Sequence, residues 1–193
     1  FQIESLLQDG NIEQKKMSQV EQVEGVKDAQ YEMDGIGQLE DAKAVEREQA
    51  VQLDQGKMGE LVSYHGVTSS SQELNFASGA LNLKEGRALT KDESGKVLVH
   101  EELAKENNWT VGTKIKLKNF QNEGTTATGK EVTVEIVGIF NGKLSEQSTG
   151  LTSDLTENRI YMDYKTSQSL IGKDESNAIV HRAIFTVKDP SKL

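Results

Sequence analysis

From Lys114 to Lys118 the chain reads Lys-Ile-Lys-Leu-Lys, with charged and apolar side chains in strict alternation. Only an extended backbone turns successive side chains to opposite faces, so this run is a half-buried strand and commits its surroundings to a sheet. Val132, Val134 and Ile136 repeat the pattern. Val137 and Ile139 continue it on the opposite parity, which places a bulge or bend at or beside Gly138. The segment 119–131 between the two runs carries Asn122, Gly124 and Gly129 and predicts a long hairpin connection.

Upstream, Ile12, Met17, Val20 and Val23 recur at largely helical spacing over 11–24, and Gly25 supplies a stop. Val26 to Met33 predicts a strand closed by an Asp34-Gly35 turn. The stretch 40–60 is rich in helix-compatible residues, with Gly56 and Gly59 breaking its end. Leu61 to Val67 predicts a strand, and Ser69 to Phe76 a short helix with serine caps. Leu81 to Leu83 reads as extended before a turn at Glu85-Gly86-Arg87. Val97 to Val99 is a buried strand leading into a helix from His100 to Asn108, and 141–158 is polar and irregular. Arg159 to Asp163, a helix from Thr166 to Ile171 capped by Thr166 and closed by Gly172, and Ala183 to Val187 then form a βαβ-like unit. Mixed segments flanking a β-rich middle give an α+β architecture: a mixed α/β subdomain built from 1–80 and 156–193, with a β-rich subdomain of 81–155 inserted.

Composition removes several classes of function. Of 193 residues none is Cys, which excludes disulfides, Cys-ligated metals and thiol nucleophiles. A net charge of −9 and a pI near 4.9 argue against a nucleic-acid partner, because displacing phosphate counterions needs a cationic face. Residues 1–60 carry 14 acidic and 6 basic groups against 17 and 16 in 61–193, so nearly all the excess lies in the first third. That excess reads as a solvated face or as a docking face for a cationic partner. No window is long and apolar enough to span a membrane. The chain opens on Phe1 and closes on Asp189-Pro190-Ser191-Lys192-Leu193, where Asp before Pro is a helix-start signal, so a piece of a longer polypeptide is expected.

No constellation of catalytic residues stands out. Gly124 to Lys130 spells the first seven positions of a phosphate-binding loop. Its eighth is Glu131 rather than Ser or Thr, and a β-patterned run follows where a helix should open. His65, His100 and His181 lie far apart and show no metal-ligand spacing. Ser69-Ser70-Ser71 reads as helix caps, not as a nucleophile. Asn108-Trp109-Thr110 matches a glycosylation sequon, and Trp109 reads as a packing anchor just past a helix end. The expectation is therefore no catalytic, cofactor-binding or metal-binding residue, no cofactor and no enzymatic activity.

An ordered set of short motifs carries a family resemblance. Glu85-Gly86-Arg87 precedes Val97-Leu98-Val99 with Glu102-Leu103-Ala104. Val111-Gly112 then precedes Lys114 to Leu117, and Val134 to Phe140 ends in Val137-Gly138-Ile139. Arg159-Ile160-Tyr161-Met162 with Thr166 to Leu170, and the junction from Val20 to Val26, complete the set. Together they resemble the extracytoplasmic core domain of MacB/FtsX-type ABC-transporter permeases, across most of 12–188, with weak matching at 35–60 and 119–131. The Gln-rich acidic start and the polar stretch 141–158 depart from that pattern.

The resemblance implies a porter-type α/β subdomain with the β-rich insertion, placed outside the cytoplasmic membrane between two membrane helices of a permease. It implies as partners a cytoplasmic ABC ATPase subunit, reached through membrane helices, a second permease copy or sister permease, and an extracellular protein or peptide. The implied function is to transmit ATP-driven conformational change across the membrane, for export of or resistance to peptides or small molecules. A stand-alone extracellular binding or adhesion module, contacting its partner through the acidic face of 1–60 and the 119–131 loop, is the alternative.

Overall fold

The computed structural model describes residues 2–4, 12–46, 60–120, 130–145 and 151–188. In chain order they form β1 Gln2–Glu4, β2 Ile12–Glu13, α1 Gln14–Glu21, β3 Val26–Glu40, β4 Leu61–Val67, α2 Leu74–Ala77, β5 Leu81–Gly86, β6 Lys96–His100 and α3 Glu101–Asn107. There follow β7 Lys114–Asn119, β8 Val132–Gly142, β9 Arg159–Asp163, α4 Tyr164–Leu170, β10 Ile179–Val180 and β11 Arg182–Val187. Nine strands make one sheet in the order β1-β11-β3-β4-β9-β6-β8-β5, with β7 bridging β3 and β8, while β10 and β2 form a separate ribbon. The pairs β4–β9 and β6–β8 are parallel and the others antiparallel. β11 therefore runs in the same direction as β9, and the segment through α4 is the crossover that the alternating C-terminal elements predict.

The sheet is covered on both faces, as a mixed α/β layer must be to bury its apolar side chains. Tyr31, Met33, Tyr64, Val99, Ile160 and Phe185 point to the larger core, where α3 contributes Leu103 and α4 contributes Leu170. The smaller core holds Val67, Leu81, Leu98, Phe140 and Tyr161 on the opposite face. Phe76 of α2 closes it, edge-on to Phe140 and Tyr161 at centroid distances of 5.5 and 4.9 Å.

The expected bulge lies where the parity changes. Val97 pairs with Ile136 but Leu98 with Gly138, so Val137 is the extra residue, and Val134, Ile136 and Ile139 all reach the larger core. Four local expectations need correction. β3 runs straight through Asp34-Gly35 to Glu40 instead of turning; Gly35 is there because a Cβ would overlap the Tyr64 ring. Serines do not cap the short helix: a 3-10 turn occupies Ser70–Gln72, and the Glu73 carboxylate accepts from the Asn75 and Phe76 amides to start α2. Asp163, not Thr166, caps α4, accepting from the Thr166 amide at 2.8 Å. The polar stretch 141–158 is only partly irregular: β8 extends through Gly142, and Thr152, Ser153, Thr156 and Asn158 are buried in two 3-10 turns.

Of the helix-compatible stretch 40–60, residues 41–46 are irregular, while 47–59 lie outside the described residues, as does most of the 119–131 connection. Strands from 81–155 pair with strands from the rest of the chain, β6 beside β9 and β7 beside β3.

Candidate functional site

Two arrangements bear on function: a row of charged and aromatic side chains across the middle of the sheet, and the placement of the two outermost described strands. The row is built by register. Arg182 on β11 stands opposite Glu32, Asp34 on β3 opposite His65, and His65 on β4 opposite Tyr161. Arg182 Nη1 lies 3.2 Å from Glu32 Oε2, and the Glu32 side chain is only 5% exposed. His65 Nδ1 meets Asp34 Oδ1 at 2.5 Å, and the Asp34 amide donates to His181 Nδ1 at 3.1 Å. Arg159 Nε donates to the Tyr161 hydroxyl at 2.7 Å, and the His65 and Tyr161 rings are 5.5 Å apart.

The electrostatics follow from burial and neighbours. Burial pushes the Glu32 carboxyl above its ordinary value against the opposing pull of Arg182. Burial works on Asp34 in the same sense, but the His65 hydrogen bond and the charges of His65, Arg182 and Arg159 prevail and hold it down at about 2. Burial lowers His65 and His181, so both imidazoles stay neutral near pH 7. With Nδ1 donating to Asp34, His65 Nε2 is left as an acceptor, and that buried atom has no hydrogen-bond partner among the described residues. Among the described residues no hydroxyl therefore sits where a nucleophile would need this imidazole as its base.

Sequence reading treats the three histidines as unrelated. His65 and His181 in fact meet at Asp34, while His100 caps α3, accepting from the Glu102 amide at 3.1 Å, and its Nε2 donates to the Gly142 carbonyl at 3.0 Å. Among the described residues no group of three His, Asp or Glu side chains is placed to hold a metal ion. The Ser70 hydroxyl is buried and accepts from the Leu89 amide. Asn108 takes the left-handed position that ends α3, and Trp109 packs against the larger core, as its place after a helix predicts. The glycines of the phosphate-loop lookalike, Gly124 and Gly129, lie outside the described residues.

The second arrangement lies at the sheet edge. β1 pairs antiparallel with β11, with Gln2 opposite Ile184 and Glu4 opposite Arg182. The chain thus comes into the sheet and leaves it on neighbouring strands and on the same side.

The class of fold is a mixed α/β sheet covered on both faces, and comparison with known proteins gives its family. Residues 2–192 match the MacB-like periplasmic core domain, and the chain belongs to that family, an extracytoplasmic domain of ABC transporter permeases. It is 30% identical over 136 residues to the uncharacterized ABC transporter permease YclI of Bacillus subtilis (strain 168), a match covering 68% of this chain and 27% of that protein. Its fold resembles the periplasmic region of MacB from Actinobacillus actinomycetemcomitans, with TM-score 0.53 and 13% identity over 97% of this chain and 67% of that one. It also resembles the extracellular domain of the noncanonic ABC-type transporter YknZ from Gram-positive bacteria, with TM-score 0.53 and 11% identity over 99% and 84% of the two chains. The chain spans about a quarter of the permease it matches.

Proposed function

We propose that this domain transmits conformational change across the membrane: nucleotide-driven movement of a cytoplasmic ABC ATPase shifts the permease's membrane helices, and those displace this domain as a lever. The work served is export of, or resistance to, peptides or small molecules. A second copy of the permease or a sister permease supplies the facing domain, and an extracellular protein or peptide is the further partner. In this reading 1–80 with 156–193 is the tethered frame and 81–155 the outer lobe, and the domain makes and breaks no bonds of its own.

The observation that carries the reading is the β1–β11 pair. Two tethers on adjacent strands, leaving on one side, displace the sheet as a body when they move together. Tethers at opposite poles would stretch it instead. Support also comes from continuity: β-ladders join the tethered strands to β5 at the far edge, so displacement at one edge is felt at the other.

Hydrogen–deuterium exchange on the full-length permease with its ATPase in nanodiscs tests this. The reading expects ATP binding to change protection in peptides covering β1 and β11, with little change inside the β3–β4 ladder. Identical exchange throughout 2–188 with and without ATP overturns it.

A further inference from the structure

Above the larger core face, α1 and α4 do not close on each other. The cleft between them has a volume of about 630 Å³, within the range of small-molecule sites. Ala29 and Tyr31 of the sheet form its floor, Tyr164 and Gln168 of α4 line one side, and the 90–94 turn closes an end. Gln14 and Glu21, the two ends of α1, both line it, so the cleft runs that helix's length, about 10 Å at 1.5 Å per residue. An elongated ligand matches that shape.

Charge then selects among elongated ligands. At the rim Glu21, Asp92, Glu93, Asp174 and Glu175 outnumber Lys91, Lys165 and Lys173. Lys91 is engaged with Asp28 at 2.5 Å and Lys165 with Glu175 at 4.0 Å, and of the carboxylates Glu93 is held by Arg87 at 2.6 Å. Lys91 is instructive: the hydrogen bond it donates to Asp28 comes first, but Glu21 and Asp92 also raise its pKa, so this rim already stabilises one alkylammonium, the chain's own. The Tyr31 hydroxyl donates to Glu21 Oε1 at 2.5 Å and fixes that carboxylate at the cleft wall. Tyr31 and Tyr164, both buried and with ring centroids 6.0 Å apart, give the cleft an apolar base beneath those carboxylates.

We infer that the cleft between α1 and α4 binds a linear alkylammonium, either a free polyamine or the lysine side chain of an extended peptide, with Glu21 and Asp92 as counter-charges. This goes beyond the lever reading and holds or fails without it.

Calorimetric titration of the whole chain with spermidine, with trilysine and with inorganic phosphate tests it, with amide NMR shifts locating the site. Saturable binding of spermidine or trilysine is expected, with shifts at Ala29, Tyr31 and Gln168. Preference between the two names the source. Glu21→Gln with Asp92→Asn is expected to weaken binding about tenfold, as loss of charge-assisted contacts should. Lys91→Met, which removes a competing ammonium from the rim, is expected to tighten it. The proposal is overturned if neither cation saturates, if phosphate binds in their place, or if wild-type shifts fall away from the cleft. The wild-type map and Lys91→Met decide the matter even if the double variant fails to fold.

Discussion

Gly86 and Gly138 stand opposite each other in the β5–β8 pairing. Gly86 has φ +75°, and a Cβ on it would overlap the Val137 carbonyl oxygen; a Cβ on Gly138 would lie 2.7 Å from the Arg87 carbonyl and from Leu98 Cδ2. The Glu-Gly-Arg end of β5 and the Val-Gly-Ile stretch of β8, 52 residues apart in sequence, are therefore two sides of one close backbone approach. Gly86→Ala and Gly138→Ala should each cost about 2–4 kcal/mol. Gly79 also has positive φ, +81°, but open space around it, and Gly79→Ala should cost about 1 kcal/mol. Urea denaturation of the three variants checks this; equal costs would mean that the close approach contributes nothing.

Arg182→Met leaves the Glu32 carboxylate buried without this partner and should cost about 2–3 kcal/mol in the same assay. Adding Glu32→Gln should restore part of the loss, because the neutral amide tolerates burial better. A double variant less stable than Arg182→Met alone would contradict the assignment of the cost to the stranded charge.

Asn158 is fully buried and does three things at once. Its amide nitrogen donates to the Val45 carbonyl at 2.9 Å and to the Thr152 carbonyl at 2.8 Å, and its oxygen accepts from the Val45 amide at 2.7 Å. Asn158→Ala strands those backbone groups and should cost about 3 kcal/mol. Faster proteolysis confined to the 41–46 segment should accompany it; unchanged stability and proteolysis would contradict this role.

Stability should fall in acid, first through the histidines. Folded His65 and His181 resist protonation below their ordinary 6.5 while the unfolded chain takes protons up, so their contribution is complete above about pH 6.5 and declines below it. Asp34 adds a second loss between its ordinary 3.8 and about 2. Glu32 and Asp163, raised by burial, act in the opposite sense from about pH 4.5 upward, so the discriminating comparison is by variant. The urea midpoint of the wild type should drop between about pH 7 and about pH 5. His181→Gln should flatten that slope, and a flat wild-type profile would refute the prediction.

Legibility in the sequence followed the range of the interactions. The β7 alternation, the β8 parity change and the α3 and α4 helices depend on neighbours within a few residues, and each stands close to its expected place. Asp34-Gly35 misleads because a turn signal and a packing glycine look alike until Tyr64 is placed above it. His65, Asp34 and His181 could not be joined from spacing, since β3, β4 and β11 bring them together by register alone. The acidic first third is similar: Asp28, Glu32 and Glu40 are paired with Lys91, Arg182 and Lys118 from far along the chain, so part of the excess is matched internally. Polar composition at 151–158 concealed burial because Asn158 finds its partners on the backbone of Val45, far away in sequence.

The most direct test of the lever is a distance measured across the membrane exterior. In a full-length permease assembled with its ATPase, a spin label in place of Asn82, exposed on β5 at the far edge of the sheet, reports the separation of the two outer domains. The account predicts that trapping ATP shifts this distance distribution by several ångströms relative to the nucleotide-free state, while labels placed within one domain keep their spacing. Superimposable distributions between the two domains in both nucleotide states would contradict it.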